Sequence, residues 1–123
     1  MAQVTAAALA SECKFLAHPA SVDTIPTDGS KEDVVPMAMS AAWKLRRVVR
    51  NVQHVIGIEL MCSAQGVEYR RPLRAARAVE EAVAVVRELV APLPQGRVLA
   101  PDIAALAVAV SEGRFTEVAM AAA

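Results

Sequence analysis

The sequence predicts an all-α fold, a bundle of about four helices arranged around one long central helix. Three observations point to it. Alanine-rich, helix-forming sequence fills most of the chain, and its apolar residues recur at intervals of three and four. The only long break, from His18 to Met37, is made of turn and polar residues and carries Pro19, Pro26, Pro36 and Gly29. No period-two alternation and no internal repeat is found, so neither a sheet nor a solenoid is expected.

At 123 residues the chain suits a single helical domain spanning residues 1–123. Met1 to about Leu16 reads as the first helix, with Val4, Ala8, Leu9 and Phe15 as its apolar face. It opens with no capping residue, as the middle of an element would, which fits a chain cut from or paired with a larger body. Residues 17–35 then form the candidate site-forming loop. Val22, Ile25, Val34 and Val35 are interleaved with its polar residues, a composition that favours an ordered loop.

The long helix runs from this loop to about Gly66. Ser30 and Asp33 make a capping-box spacing, but that start would put Pro36 inside the helix. Pro36 belongs in a first turn, so Asp33 or a close neighbour is the predicted N-cap. Glu32 then sits at the helix N-terminus, where the dipole favours its ionised form. Leu45, Val49, Val52, Ile56 and Leu60 form a stripe that Val48, Val55, Ile58 and Cys62 widen, predicting burial on more than one side. Glu59 falls among these positions and is expected to need a buried or interfacial partner.

Pro72 breaks the connection from Val67 to Arg74, and a third helix is expected from about Ala75 to Ala91, with Val79, Ala82, Val83, Val86 and Val90 inward. Pro92, Pro94 and Gly96 make the next loop. A short fourth helix follows, carrying Ile103, Leu106 and Val110 and stopping near Gly113. Phe115 to Ala123 is weakly patterned and reads as fraying helix or tail.

The 13 Lys and Arg balance 13 Asp and Glu, which gives no support to a nucleic-acid or membrane-surface role. No stretch reaches the roughly 18 charge-free apolar residues of a membrane span. Glu12 and Lys14 interrupt the first apolar run, so no signal peptide is expected. Cys13 and Cys62 have no metal-pair spacing and read as buried free thiols of a reducing, cytoplasmic compartment. Apolar residues are 55% of the chain but aromatics only 3%, so each core side chain buries little area and a partner surface is expected.

The candidate functional residues lie in or beside the loop. Glu32 is the first, with Asp28 as a possible second carboxylate; facing one cavity, the two could form an acid/base pair. Lys31 could pair with either. Lys44, Arg46, Arg47 and Arg50 read as a solvated face or subunit contact. His18 reads as a loop-ordering group and His54 as a helix-surface residue, since neither has metal-ligand spacing.

Several of these segments carry a resemblance. Gln3 to Glu12 (QVTAAALASE) and Leu16 to Thr27 (LAHPASVDTIPT) closely resemble the C-terminal part of histidine ammonia-lyase and its aromatic amino acid lyase relatives. Lys31 to Met37 (KEDVVPM) is similar to the family's Gln-Glu-Asp-His-Val-Ser-Met. Glu59-Leu60, Ala64-Gln65, Arg70 to Leu73 and Leu99 to Ile103 continue the match over nearly the whole chain. The family eliminates ammonia from histidine, phenylalanine or tyrosine, using a methylidene-imidazolone (MIO) electrophile cyclised from an Ala-Ser-Gly triad. No such triad occurs in this sequence: Ala10-Ser11 and Ala20-Ser21 are followed by Glu12 and Val22.

The resemblance therefore implies a helical region that completes an amino acid ammonia-lyase site with a separate, larger chain bearing the electrophile, or that self-associates. It implies that Glu32 matches a glutamate that contacts substrate; Asp28 and Lys31, by their place beside it in the loop and not by the resemblance, are further substrate-binding candidates. The departures are Lys31 for Gln, Val34 for His, Pro36 for Ser, and Asp28-Gly29-Ser30 for Ser-Ala-Asn. They leave a second expectation open, a non-catalytic helical interaction or scaffold protein derived from the same family.

Overall fold

The computed structural model describes residues 1–93 and 96–121, and its regular elements are helical. Five α-helices follow one another: α1 (Ala2–Leu16), α2 (Ala38–Glu68), α3 (Arg77–Leu89), α4 (Ala100–Ser111) and α5 (Arg114–Ala121). The all-α class and the long central helix are as predicted. The stretch with no firm expectation, after Gly113, is helical as far as Ala121; Ala122 and Ala123 lie outside the described residues, as does Pro94 of the predicted third loop.

The helix stops follow from elementary chemistry. Gly113 has φ 78°, the left-handed conformation that lets its N–H reach Val110 O at 3.1 Å and end α4. Pro101 lies in the first turn of α4, where a missing N–H costs nothing, and Asp102 beside it pairs with Arg97.

α2 carries the assembly. Its most extensive packing is against α4 and then α1. The core joins Ile58, Met61 and Ala64 of α2 to Val83 and Val86 of α3, Val90 just beyond it, and Ile103 and Leu106 of α4. Met61, Leu106, Val86 and Val90 are the largest fully buried side chains, and burying such a group contributes roughly 1.5–3 kcal/mol. The α2–α4 approach is set by Gly57, where a Cβ would stand 3.2 Å from Leu106 Cβ and 3.3 Å from both Ala107 N and Ile103 O. Outside the core, ion pairs tie the connections down. Arg87 of α3 forks onto Glu68 at 2.7 Å, and Arg114 of α5 reaches Glu88 at 2.6 Å.

Four expectations need correction. α2 does not begin near Asp33; it begins at Ala38 with Met37 as N-cap. Pro36 is outside the helix altogether, because a residue before proline is driven to extended backbone and Val34-Val35 are β-branched. The inward side of α1 is the half-buried line Ala2, Ala6, Leu9 and Cys13, whereas Val4 and Phe15 are exposed. Cys13 is half-buried and Cys62 exposed, so both thiols are free but neither is buried. Finally, the predicted stripe on α2 is covered within this chain only in part: Ile58 is buried and Leu60 packs against the core, but four of its residues are not covered. Leu45, Val49, Val52 and Ile56 are 64%, 47%, 45% and 37% exposed, and Glu59 lies exposed in line with them. The core uses the edge of the stripe at Ile58 and the face beside it, with Met61 and Ala64.

Candidate functional site

The loop between α1 and α2 is a hairpin without a sheet. Its base rung is made by a side chain: Thr24 Oγ1 accepts the Val35 N–H at 2.7 Å. Its tip rung is a backbone pair, with Thr27 N–H donating to Glu32 O at 3.0 Å and Glu32 N–H donating to Thr27 O at 3.3 Å. Between these two residues the chain turns through Asp28, Gly29 and Ser30, whose φ values of 51°, 63° and 65° are all left-handed. Glycine takes that conformation freely and aspartate tolerates it, but for an ordinary L-residue such as Ser30 it costs roughly 1–2 kcal/mol. The closed tip rung holds the turn.

Glu32 therefore sits on a hairpin rung and not at a helix N-terminus; its N–H is satisfied by Thr27, and the expected dipole stabilisation does not apply. One carboxylate oxygen, Oε2, accepts the Thr27 hydroxyl at 3.0 Å. Asp28 begins the left-handed turn and Lys31 ends it, joined through the backbone by Lys31 N–H to Asp28 O at 3.2 Å. All three residues are exposed. Among the described residues no side-chain hydrogen bond or ion pair links Asp28, Lys31 and Glu32. The hairpin base, from Ser21 to Thr24 and Val34 to Pro36, borders an open concavity of about 360 Å³, but none of the three candidate residues lines it.

The roots of the hairpin are fixed to α2. Lys44 Nζ donates to His18 O at the start of the loop. His18 Nδ1 lies 3.1 Å from Pro19 O, which agrees with its expected loop-ordering role. One turn along, Glu12 of α1 accepts Arg47 Nη2 at 2.8 Å and Asn51 Nδ2 at 2.6 Å. Asn51 is a buried polar residue, 6% exposed. Its amide foremost, with the Arg47 guanidinium beside it, holds the Glu12 carboxyl below the usual carboxylate range against the opposing pull of burial. Arg46 lies over the Trp43 ring at 5.4 Å and His54 Nδ1 is 2.7 Å from Arg50 O, so the basic face of α2 is partly engaged by its own residues.

Sequence reasoning missed the two threonines, and it read Lys44 as part of a solvated face or subunit contact and not as an anchor of the loop. Thr24 and Thr27 bracket Ile25-Pro26, and a hydroxyl three residues before another, either side of a proline, is the only local signal they give. No group of three or more His, Cys, Asp or Glu that could hold a metal is formed among the described residues. No helix described is long and apolar enough to cross a membrane.

The relatives of this chain agree with its fold. A histidine ammonia-lyase of Rhodospirillum rubrum is 51% identical over 115 residues, covering 94% of this chain and 22% of that protein. One from Symbiobacterium thermophilum is 54% identical over 113 residues, 92% of this chain and again 22% of the relative. The crystal structure of histidine ammonia-lyase from Trypanosoma cruzi superposes with a TM-score of 0.87 at 38% identity, over 94% of this chain and 23% of that one. The chain thus spans less than a quarter of the length of the proteins it matches. The family model for aromatic amino acid lyases covers residues 1–88, taking in α1, the hairpin, α2 and most of α3. By that match, and by relatives about half identical along nearly its whole length, the chain belongs to the aromatic amino acid lyase family.

Proposed function

We propose that this chain is the helical C-terminal part of a histidine or aromatic amino acid ammonia-lyase, as a small subunit or as a piece of a longer polypeptide, and that it completes a shared active site in the cytoplasm. The MIO group would supply the electrophile for ammonia elimination. This sequence holds no Ala-Ser-Gly triplet to make it, so we assign the group to the larger partner chain or to the remainder of the longer polypeptide. This chain's contribution is Glu32, whose carboxylate binds the amino acid substrate and is the candidate catalytic group, with Asp28 and Lys31 beside it on the same turn. Nucleic acid and membrane are not among its partners.

The observation that carries this reading is the agreement of sequence and structure with histidine ammonia-lyases over 94% of the chain, with Glu32 held on a closed hairpin rung inside the matched region. The exposed stripe Leu45, Val49, Val52 and Ile56 supports the need for a partner, either the larger chain or a second copy. The test is co-expression with a triad-bearing chain. The two are expected to co-purify and to deaminate an amino acid, and Glu32→Gln is expected to lower that activity at least tenfold. Failure to co-purify refutes the small-subunit form, and full activity of the Gln variant refutes the proposal in either form.

The substitutions at Lys31, Val34 and Pro36, together with the same uncovered stripe, favour one second reading, a non-catalytic scaffold. It predicts a stable homo-oligomer that binds none of histidine, phenylalanine or tyrosine, alone or with a partner chain, and calorimetry decides.

A further inference from the structure

We propose that Thr27 is the positioning residue for Glu32: its hydroxyl holds one carboxylate oxygen so that the other is presented to the substrate in a single orientation. The proposal rests on the reading that Glu32 meets the substrate, and deepens it.

A glutamate on an exposed turn has three side-chain torsions to settle, and an unsettled carboxylate must be ordered at the moment of binding. Here the ordering is done beforehand. Thr27 and Glu32 face each other across a bridge closed by two backbone hydrogen bonds, so the threonine hydroxyl and the glutamate carboxylate are held within reach by the main chain itself. The hydroxyl donates to Oε2 at 3.0 Å. Oε1 accepts no hydrogen bond among the described residues and is left to a ligand.

Because the donor is a hydroxyl bonded to a charged acceptor, the contact strengthens with the charge on Glu32. Threonine suits the task because its branched Cβ restricts χ1. The left-handed run from Asp28 to Ser30 serves the same end. It brings position 27 back opposite position 32 within four intervening residues.

The experiment has two arms. In the chain alone, NMR couplings at Glu32 report whether its χ1 is fixed. The parent and Thr27→Ser should show one dominant rotamer, and Thr27→Val an average of several. An averaged Glu32 in the parent overturns the proposal. In the chain reconstituted with its electrophile-bearing partner, Thr27→Val should raise KM by about two- to tenfold, the net weight of one solvent-exposed hydrogen bond, with kcat changed less. Thr27→Ser should restore KM to within about twofold.

The decisive measurement is the cycle with Glu32→Gln. If Thr27 acts through the carboxylate, Thr27→Val adds little to an enzyme that already carries Gln at position 32. An equal loss in both backgrounds means Thr27 merely holds the hairpin together, and refutes the proposal. A crippled Glu32→Gln enzyme beside an unaffected Thr27→Val enzyme removes this proposal alone. A fully active Glu32→Gln enzyme removes the functional reading beneath it as well.

Discussion

Gly57 offers a test of how the long helix and α4 fit together. In a helix interior alanine is favoured over glycine by about 0.8–1.0 kcal/mol. From sequence alone, Gly57→Ala should therefore stabilise the protein. The structure reverses the sign. The added methyl would meet Leu106 Cβ at 3.2 Å and the backbone atoms Ala107 N and Ile103 O at 3.3 Å. Two of these are main-chain atoms and the third is bonded to the main chain, so no flexible side chain can swing aside. α4 must move away by a few tenths of an ångström, and the seam it loosens holds Leu106 and Met61, both fully buried. Overpacking of this kind costs about 1–3 kcal/mol, which leaves a net destabilisation of about 1 kcal/mol after the propensity gain. Gly66, in the same helix with nothing within 4 Å of its virtual Cβ, is the control. Gly66→Ala should be neutral or stabilising by up to about 1 kcal/mol. Urea unfolding at a common m-value separates the two variants. A Gly57→Ala protein as stable as the parent would show that α4 does not pack on α2 in this way.

Two further outcomes are expected. Arg71, with Ala75 N–H and Arg74 in support, pulls the Glu80 carboxyl from 4.5 down to about 2. A depressed native value means that the stabilisation is complete above about pH 4.5 and is lost as pH falls toward 2; Glu80→Gln should flatten that acid limb in a pH series of thermal melts, and an unchanged limb would refute the pairing. Val52→Glu, at the middle of the uncovered α2 stripe, should weaken association with a partner or a second copy, read by sedimentation, without lowering the melting temperature of the isolated chain.

The helices were legible because proline and glycine punctuate them and because valine and alanine spacing marks their faces. Pro101 and Gly113 stand where an element begins or ends, and Pro72 lies in the connection between α2 and α3. The start of α2 was misread for a physical reason. Capping patterns are short and compete with other uses of the same residues, and here Ser30 serves a left-handed turn while Val35 gives its N–H to Thr24. Periodicity found the apolar stripe from Leu45 to Ile56 but could not say which polypeptide covers it. Glu32 was identified through its sequence neighbours. Its pairing with Thr27 was hidden, because a single isolated bridge outside any strand leaves no periodic trace. The Glu12–Asn51 contact was equally silent, being thirty-nine residues apart in sequence.

α1 contributes no buried residue, yet the first stem of the hairpin leaves from it. Elements with so little interior anchorage open at low free energy, well before the rest of the molecule. Whatever settles upon Val4 and Phe15, the outward apolar residues of α1, would therefore quieten the neighbouring turn as well, and amide exchange at Thr27 and Glu32 would slow without either residue being touched.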